Sequence, residues 1–334
     1  MTTITGPTFR GFTDAYRAVL AGILEAPRYR TSTRAKTAVE TPNVSFTLLD
    51  PVVRMPLIAA RKANVVFNHA EALWYLMGRD DLDMIGYYAP SLRPLSADGE
   101  RLTGTAYGPR LFQPDGEDRR SQFTRVMALL RRDPDTKRAA LLIMRPDELV
   151  DPDNPDVACT LGLQLMLREG ELHMSAFMRG NDAVIGLLGD TFAFTFIQEF
   201  AARQLDVEVG TYAHHVGSMH INVNHLDQVA AILAEPDGPT FPRVQMPKTS
   251  WIDLADIGSW EERLRRDHAR FDRDDCVGID PYWAQVIALF EVYRQIVHCP
   301  GQRVTVAALE MLRPDHRWLV THRWPSRMPE PVTA

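Results

Sequence analysis

The sequence has few cysteines and no long apolar run. Its 334 residues include only Cys159, Cys276 and Cys299, and no two of them form a CxxC pair. Three cysteines are too few for a disulfide framework. No run of about 18 apolar residues occurs, so no membrane span is expected. Residues 1–10 contain no charged segment followed by an apolar one, and we predict a cytoplasmic, reducing location.

The sequence also lacks an excess of positive charge. The formal net charge is −6, so a nucleic acid polymer is not an expected partner, although a few placed Arg or Lys residues suffice to bind one phosphate. Hydrophobic residues make up 45% and charged residues 24%, which is typical of a globular protein. We predict a single domain over residues 1–334, with an irregular, Pro-rich tail at 325–334.

The spacing of apolar residues predicts helices and strands along the chain. Helices are expected over 8–25, 64–77, 120–132, 191–204 and 281–297, and strands over 44–49, 138–144 and 302–311. Residues 27–39, 79–117 and 146–156 are predicted to be mostly loops. Interleaved helices and strands around one core indicate an α/β or α+β domain.

A β-hairpin is the clearest local prediction. Residues 161–168 alternate between apolar and other side chains, residues 169–170 read Glu-Gly, and a second strand is expected over 172–178. If the turn contains only those two residues, Thr160 pairs with Arg179 and Cys159 faces Gly180. A thiol would then lie beside a guanidinium at the open end of the hairpin.

Cys159 is the candidate nucleophile, because a thiolate is strongly nucleophilic and nearby positive charge favours it. Taken alone, however, a cysteine in an apolar stretch is more often a small buried hydrophobic residue. Arg179 alone is typical of a surface charge, and Tyr107 alone of turn packing.

Several ordered segments together resemble the thymidylate synthase family. They are residues 30–33, 71–78, 104–108, 137–138, 158–164, 178–190, 217–225 and 331–334. Their order and spacing follow the family signature along nearly the whole chain. The resemblance implies a thymidylate synthase-like α/β (α+β) fold, in which helices cover a mixed, twisted β-sheet. It also implies a homodimer with sheets packed back to back and phosphate sites shared between subunits.

The resemblance implies a role for each matching residue. Cys159 would add to C6 of a pyrimidine nucleoside monophosphate, so that C5 attacks the methylene of the co-substrate 5,10-methylenetetrahydrofolate. Glu71 would serve acid–base chemistry, and Tyr107 would place a water for removal of the C5 proton. No metal is implied. The substrate-binding residues would be Arg30, Lys137, Arg138, Arg179, Gly180, Asp190, His220 and Asn222, with Lys137 and Arg138 reaching across the dimer; Asp182 and Gly186 would hold the folate.

Glu71 also has a case from its own surroundings. Phe67, Ala70, Glu71 and Trp74 share one face at helical spacing, which predicts a partly buried carboxylate. Burial raises the pKa of a carboxyl group towards the range useful for acid–base catalysis. The alternative is a surface carboxylate on the rim of the helix, and Lys137 with Arg138 could likewise be a solvated pair.

Asp190 is the most informative departure from the family, which has a base-reading asparagine there. A carboxylate accepts a hydrogen bond from an exocyclic amine, so aspartate favours cytosine over uracil. The cytidylate hydroxymethylases, the branch that includes the enzyme of mildiomycin biosynthesis, resemble this chain in carrying aspartate. The alternative is that Asp190 caps a helix that begins at Thr191.

Other departures concern the product and the sugar. Residues 79–106 contain no tryptophan, whereas thymidylate synthases carry one that shields the exocyclic methylene from water, so water addition to give a hydroxymethyl group is expected. Asn222 replaces a tyrosine and leaves room for a ribose 2′-hydroxyl, which favours CMP over dCMP, although neutral drift is the alternative. Thr160 and Gly180 replace a histidine and a serine.

The sequence therefore predicts a folate-dependent hydroxymethyltransferase that acts on CMP. The alternatives are an ordinary thymidylate synthase that methylates dUMP and, less favoured, a nucleotide-binding module without catalytic activity.

Overall fold

A computed structural model describes residues 5–33 and 36–330 of the chain. The segment 331–334, which contributed to the family resemblance, lies outside the described residues, as does part of the loop predicted at 27–39.

One mixed β-sheet forms the centre of the described structure. Its strands are β1 (Thr8–Phe9), β2 (Tyr29–Thr33), β3 (Lys36–Leu48), β4 (Ala140–Leu142), β5 (Thr160–Arg168), β6 (Glu171–Asp182) and β7 (Glu208–Asn222). The strand order is β1-β3-β7-β6-β5-β4, and β2 pairs with β3. β1 with β3 and β6 with β7 are parallel pairs, whereas the other neighbours are antiparallel.

Helices follow the strands and cover one face of the sheet. They are α1 (Phe12–Glu25), α2 (Val65–Leu76), α3 (Leu82–Tyr88), α4 (Tyr107–Phe112), α5 (Gln122–Arg132), α6 (Gly186–Leu205), α7 (Leu226–Ala234), α8 (Trp251–Arg265), α9 (Pro281–His298), α10 (Val306–Glu310) and α11 (Pro314–Arg323). Within the described ranges, no helix combines the length and apolarity needed to cross a membrane.

The central helix α6 determines where the candidate site forms. It packs against β6, β7 and α2, and four phenylalanines, Phe192, Phe194, Phe196 and Phe200, are buried along it. A helix that is apolar on all sides has to be surrounded by protein. The polar groups near its amino-terminal end therefore face the inside of the molecule, close to α2 and to the ends of β5 and β6.

The opposite face of the sheet is less covered. Leu142, Gly162, Phe177, His215 and Ser45 are paired in register across five strands and point to the same side. Leu142 is 67% exposed and Phe177 is 39% exposed, and the Phe177 ring stacks on His215 at 5.1 Å. Two exposed apolar side chains, Leu142 and Phe177, thus lie on this less covered face of the sheet.

Most predicted elements are present, and most of their boundaries moved by a few residues. The helix predicted over 64–77 is α2, whose N-cap Asn64 accepts a hydrogen bond from the amide of Phe67. The strand predicted over 44–49 is the end of the longer β3. The helix predicted over 191–204 begins earlier, at Gly186, and the strand predicted over 138–144 is shorter.

Some predictions were wrong. Residues 27–39 were predicted as a loop but contribute β2 and the start of β3, because cross-strand pairing supplies order that Arg- and Thr-rich sequence does not signal. Residues 302–311 were predicted as a strand but contain α10, capped by Thr305. The helix predicted over 8–25 is present as α1 but begins only at Phe12, after the short strand β1. The loops predicted over 79–117 contain α3 and α4.

Candidate active site

The thiol of Cys159 and the guanidinium of Arg179 lie together at the open end of the β5–β6 hairpin. The Arg179 amide donates to the Cys159 carbonyl oxygen at 2.9 Å, and Arg179 Nη2 lies 3.7 Å from Cys159 Sγ. The same guanidinium donates to the carbonyl oxygens of Ala158 and Val157 at 2.8 and 3.0 Å. These contacts hold a positive charge against the sulfur, which favours the thiolate.

The pairing at this point differs from the predicted one by one residue. The two-residue turn is present, and the register follows it as far as Gly162 opposite Phe177. A β-bulge at Leu161 then places Thr160 opposite Met178, rather than opposite Arg179. Cys159 consequently faces Arg179, whereas the predicted neighbour, Gly180, pairs with Ser218 of β7.

Tyr107, the first residue of α4, is buried beside the thiol. Its ring stacks on Tyr75 at 5.1 Å and on Phe194 at 6.1 Å. Its hydroxyl group hydrogen-bonds Thr160, the residue after Cys159. Burial first, and then the negative charges of Asp190 and Cys159, raise the pKa of Tyr107, so that its phenol keeps its proton. Tyr107 can therefore donate a hydrogen bond into this space.

Glu71 extends from α2 into the same space and is only 8% exposed. The alternative of a surface carboxylate is therefore wrong. Burial first, and then the charge of Asp190, raises the pKa of Glu71 to about 8, while a hydrogen bond from Tyr75 acts in the opposite direction. A carboxyl group in this condition can carry a proton near neutral pH and release it, as acid–base catalysis requires.

Asp190 lies inside α6, and the N-cap of that helix is Ile185. The alternative that Asp190 caps the helix is therefore wrong. The side chain is half-buried, and burial raises its pKa to about 7, opposed by a hydrogen bond from Asn181. A Cβ on the neighbouring Gly189 would lie 3.3 Å from Glu71 Oε2, so the Glu71 carboxylate packs beside the backbone that carries Asp190.

The predicted folate and sugar residues meet where β6 and β7 end. Asp182 Oδ1 accepts from the amides of Val184 and Ile185, both at 2.8 Å, and Oδ2 accepts from Asn222 Nδ2 at 2.5 Å. His220 is paired directly with Asp182. A carboxylate offers about four acceptor positions, so one position on Asp182 can still accept from a pterin. In this respect the site fits a folate.

Gly186 lies next to Asn181, where there is no room for a side chain. A Cβ at this position would lie 2.5 Å from Asn181 Oδ1.

Three predicted phosphate ligands lie outside this set of contacts. Arg30 is an exposed residue of β2, and Lys137 and Arg138 are exposed residues before β4. Arg138 Nη2 lies 3.8 Å from Asp133 of the same chain. For the described part of the chain, no group of three or more His, Cys, Asp or Glu side chains could hold a metal ion.

Sequence reasoning missed three polar contributors to the site. Asn181 and His214 are buried behind Asp190, and Asp156 is buried beneath the loop that leads to Tyr107. Asp156 lies just before the Cys159 segment and Asn181 lies within the matched 178–190 segment, but their partners are distant in sequence. No periodic pattern signals such contacts.

Known proteins resemble this chain in sequence. A family profile described as thymidylate synthase matches residues 11–261. A deoxyuridylate hydroxymethyltransferase of Bacillus phage SP01 is 31% identical over 211 residues, which cover 60% of this chain and 54% of that protein. A deoxyuridylate hydroxymethyltransferase of Pseudomonas phage M6 is 30% identical over 191 residues, which cover 57% of this chain and 53% of that protein. The chain thus matches about half the length of these relatives.

The fold also resembles that of a solved enzyme. Thermostable thymidylate synthase A from Bacillus subtilis superposes with a TM-score of 0.56 at 18% identity, covering 69% of this chain and 87% of that one. This likeness confirms the predicted fold, a mixed twisted sheet with covering helices.

Proposed function

This chain belongs to the thymidylate synthase family, and from that membership we propose that it transfers a one-carbon unit from 5,10-methylenetetrahydrofolate to C5 of a pyrimidine nucleoside monophosphate. We further propose that water completes the reaction, so that the product carries a hydroxymethyl group, and that the substrate is cytidylate. The half-buried Asp190 carboxylate, at the position of the family's base-reading asparagine, is the observation that carries the choice of base.

The first step assigned to this chain is attack by the Cys159 thiolate on C6 of the base. Arg179, 3.7 Å from the sulfur, stabilises the thiolate before attack and can bind the nucleotide phosphate with its remaining donors. A new S–C6 bond moves the electron pair of the C5–C6 double bond to C5. C5 is thereby a carbon nucleophile, and the folate supplies the electrophilic one-carbon unit.

Proton movement is assigned to Glu71 and Tyr107. Glu71, with a pKa of about 8, can deliver and take up a proton near neutral pH. Tyr107 keeps its phenolic proton and hydrogen-bonds Thr160 beside the nucleophile, so it can orient the water that removes the C5 proton. After condensation and removal of the C5 proton, tetrahydrofolate leaves from the bridging carbon with the electron pair of its C–N bond, which gives an exocyclic methylene at C5. Water adds to this methylene, and expulsion of the Cys159 thiolate from C6 then restores the C5–C6 double bond.

Two observations support a hydroxymethyl rather than a methyl product. Residues 79–106 contain no tryptophan, so a shielding indole from that segment is missing. Both phage relatives are named hydroxymethyltransferases. An ordinary thymidylate synthase would instead reduce the exocyclic carbon and release dihydrofolate.

Asp190 supports cytosine as the base. Cytosine presents an exocyclic amine, from which an ionised carboxylate accepts, whereas uracil presents a carbonyl oxygen that a carboxylate repels. At neutral pH a group with a pKa of about 7 is present in both ionised and protonated forms. The ionised fraction therefore suits cytosine without a further donor.

For the sugar, we propose CMP over dCMP. The amide nitrogen of Asn222 is engaged by Asp182, which leaves its Oδ1 to accept from a ribose 2′-hydroxyl.

A second candidate is hydroxymethylation of a uridylate. The names of the phage relatives favour it, because both specify deoxyuridylate. The protonated form of Asp190 could serve this substrate, since a carboxylic acid donates to O4 while its other oxygen accepts from N3–H.

We also propose a cytoplasmic homodimer in which the exposed sheet face, with Leu142 and Phe177, packs against its counterpart. Lys137 and Arg138 would then reach the nucleotide phosphate bound by the partner subunit. This agrees with the exposure of both side chains and with their position outside the contacts around Cys159. We propose that residues 1–334 form one domain with its tail at 325–334, because α9 and α11 pack against α2.

The test is the mass of the nucleotide product. CMP, dCMP and dUMP are each incubated with 5,10-methylenetetrahydrofolate, and the products are analysed by mass spectrometry. We expect a hydroxymethyl adduct, formed fastest from CMP. A methyl adduct with dihydrofolate absorbance would refute the proposed chemistry, and fastest conversion of dUMP would refute the proposed base.

The variant Cys159→Ser is expected to lower turnover at least a thousandfold, on the order seen when a nucleophile is removed. Cys276→Ser is the matched control, since that thiol is also half-buried but lies in the distant 274–276 turn. Equal activity of the two variants would exclude nucleophilic catalysis by Cys159.

A further inference from the structure

Arg110 lies three residues after Tyr107 on α4, and only 6% of it is exposed. Its Nη1 donates a hydrogen bond to the carbonyl oxygen of Ile143 at 2.5 Å. Its Nη2 donates to the carbonyl oxygen of Thr103 and to the carboxylate of Glu148, which is also buried. One side chain on the helix that carries Tyr107 is therefore bonded to three other segments of the chain.

The bond to Ile143 leads to the strand that follows the nucleophile. The amide of Ile143 donates to the carbonyl oxygen of Leu161 at 3.0 Å. The amide of the next residue donates to the carbonyl oxygen of Thr160 at 3.1 Å, and Thr160 directly follows Cys159. Arg110 therefore holds α4 against the backbone that pairs with the first residues of β5.

The bond to Glu148 leads to the segment that precedes the nucleophile. The carbonyl oxygen of Glu148 accepts from Asn154 Nδ2 at 3.2 Å, and Asn154 Oδ1 accepts from the amide of Asp156 at 3.1 Å. The Asp156 carboxylate accepts from the amides of 103–105, the loop that leads into α4. The loop before α4 and the segment before Cys159 are thus held together from both sides.

An arginine suits position 110 because its guanidinium is a planar fork with donors on separate nitrogens. A lysine has a single nitrogen and cannot reach acceptors on both sides of the fork. A buried ion pair is weak evidence for stability, because the cost of removing two charges from water offsets much of their attraction. The feature that this pair adds is a fixed orientation of α4.

We propose that Arg110 is a positioning residue for proton removal from C5: its three bonds fix Tyr107, on α4, relative to Cys159 on the neighbouring backbone. This inference rests on the proposed function, which assigns attack to Cys159 and the orientation of a water to Tyr107. In that step the water accepts the C5 proton, and the electron pair of the C–H bond stays on the ring. Arg110 is buried and bonded to protein groups, so it acts through Tyr107 rather than on the substrate.

The test measures kcat, KM and the deuterium isotope effect for Arg110→Lys on the full chain, using CMP with and without deuterium at C5. Lysine keeps the positive charge beside Glu148 but loses the fork. We expect kcat to fall by about ten- to a hundredfold, the order that a misplacement of about 1 Å produces. The KM for the nucleotide should change little, because Arg110 does not contact it. The isotope effect on kcat should increase, because proton removal then limits the rate more strongly.

Two further variants separate positioning from loss of folding. Arg110→Met combined with Glu148→Met removes both buried charges together, a change that is often neutral for stability. This double variant should fold, as judged by circular dichroism, and still show the lower kcat and the larger isotope effect. Arg294→Lys is the matched control, because Arg294 is also buried and paired with a buried glutamate, Glu291, on α9. It should leave the isotope effect unchanged.

A folded Arg110 variant with an unchanged kcat would overturn the inference. So would a lower kcat without a larger isotope effect, or an equal increase of the isotope effect in Arg294→Lys. A general loss of stability would produce either of the last two results, because it does not single out proton removal.

Failure of the proposed function can be recognised separately, because it is judged on the unmodified chain by the product and the preferred base. A methyl and a hydroxymethyl product both require loss of the C5 proton. If dUMP is the better substrate, dUMP deuterated at C5 replaces CMP and the comparison of variants is unchanged. An unmodified chain without turnover on any of these nucleotides would refute both.

Discussion

Asn222 donates a hydrogen bond from Nδ2 to Oδ2 of Asp182 at 2.5 Å, across the ends of two neighbouring strands. The resemblance assigned these residues to different ligands, Asn222 to the sugar and Asp182 to the folate. Asp182 also accepts hydrogen bonds from the amides of Val184 and Ile185, which lie just before α6. Asn222 therefore adds a further hydrogen bond to the carboxylate that holds the backbone where α6 begins. The two predicted ligand sites are therefore mechanically connected.

This connection predicts that Asn222→Ala impairs both ligands. With Nδ2 removed, Asp182 loses a charge-assisted hydrogen bond worth about 1.5–3 kcal/mol, and its orientation is less restricted. We expect KM to rise for the folate as well as for the nucleotide, measured by varying each substrate in turn. An increase confined to the nucleotide would mean that Asn222 contacts only the sugar.

The raised pKa of Glu71 predicts that the free energy of unfolding depends on pH. Its pKa is about 8 in the folded chain against 4.5 for an unperturbed glutamate, so between these values the folded state binds more protons than the unfolded state. The free energy of unfolding contributed by Glu71 is therefore fully present below pH 4.5 and is lost as pH rises towards 8. The loss has an upper limit of about 1.4 kcal/mol per pH unit.

The variant Glu71→Gln should remove this dependence. Urea unfolding at several pH values between 5 and 8 should give the variant a growing advantage over the unmodified chain as pH rises. Glu262→Gln, a substitution at an exposed position of α8, is the control and should not produce the trend. Parallel curves for Glu71→Gln and the unmodified chain would contradict the raised pKa.

Asp156 predicts a local effect on the loop that carries Tyr107. Its carboxylate accepts from the amides of Thr103, Gly104 and Thr105, each at 2.8 Å, and from Thr105 Oγ1 at 2.6 Å. Asp156→Ala leaves these donors without their partner. We expect a loss of about 2–4 kcal/mol of unfolding free energy. Hydrogen exchange should accelerate at 103–105, and turnover should fall because Tyr107 is displaced.

The surface substitution Asp118→Ala is the control for this experiment. It removes a carboxylate that pairs with Arg125 at the surface, where ion pairs contribute little. If both variants left exchange at 103–105 unchanged, Asp156 would have no role in holding the loop.

Replacing glycine by alanine is expected to have opposite effects on stability at two positions. A Cβ on Gly104 would lie 1.9 Å from the Asp156 carbonyl oxygen, whereas a Cβ on Gly22, inside α1, meets no atom within 4 Å. Gly104→Ala should therefore lower the free energy of unfolding by about 2–4 kcal/mol. Gly22→Ala should stabilise it by about 0.5–1 kcal/mol, since alanine favours helix. Thermal unfolding of both variants measures the difference, and a stable Gly104→Ala variant would argue against the close approach.

The sequence alone was sufficient for features that depend on neighbouring residues. Alternation over 161–168 and the Glu-Gly turn predicted the hairpin, and Glu169 and Gly170 have the positive φ values of 50° and 81° that a two-residue hairpin turn requires. Helical spacing predicted α2 with the burial of Glu71. The ordered motifs predicted the family, because catalytic residues that act together keep their order and spacing along the sequence.

Only the tertiary structure decided how distant residues meet. The bulge at Leu161 moved Cys159 from Gly180 to Arg179, and a strand's own sequence does not reveal an extra residue in its pairing. The start of α6 at Gly186 excluded capping by Asp190, because the helix is stabilised by packing against β6, β7 and α2 rather than by local signals. Asn181, His214 and Asp156 became visible as site residues only there, since a buried polar group is defined by partners that the chain brings to it from far away.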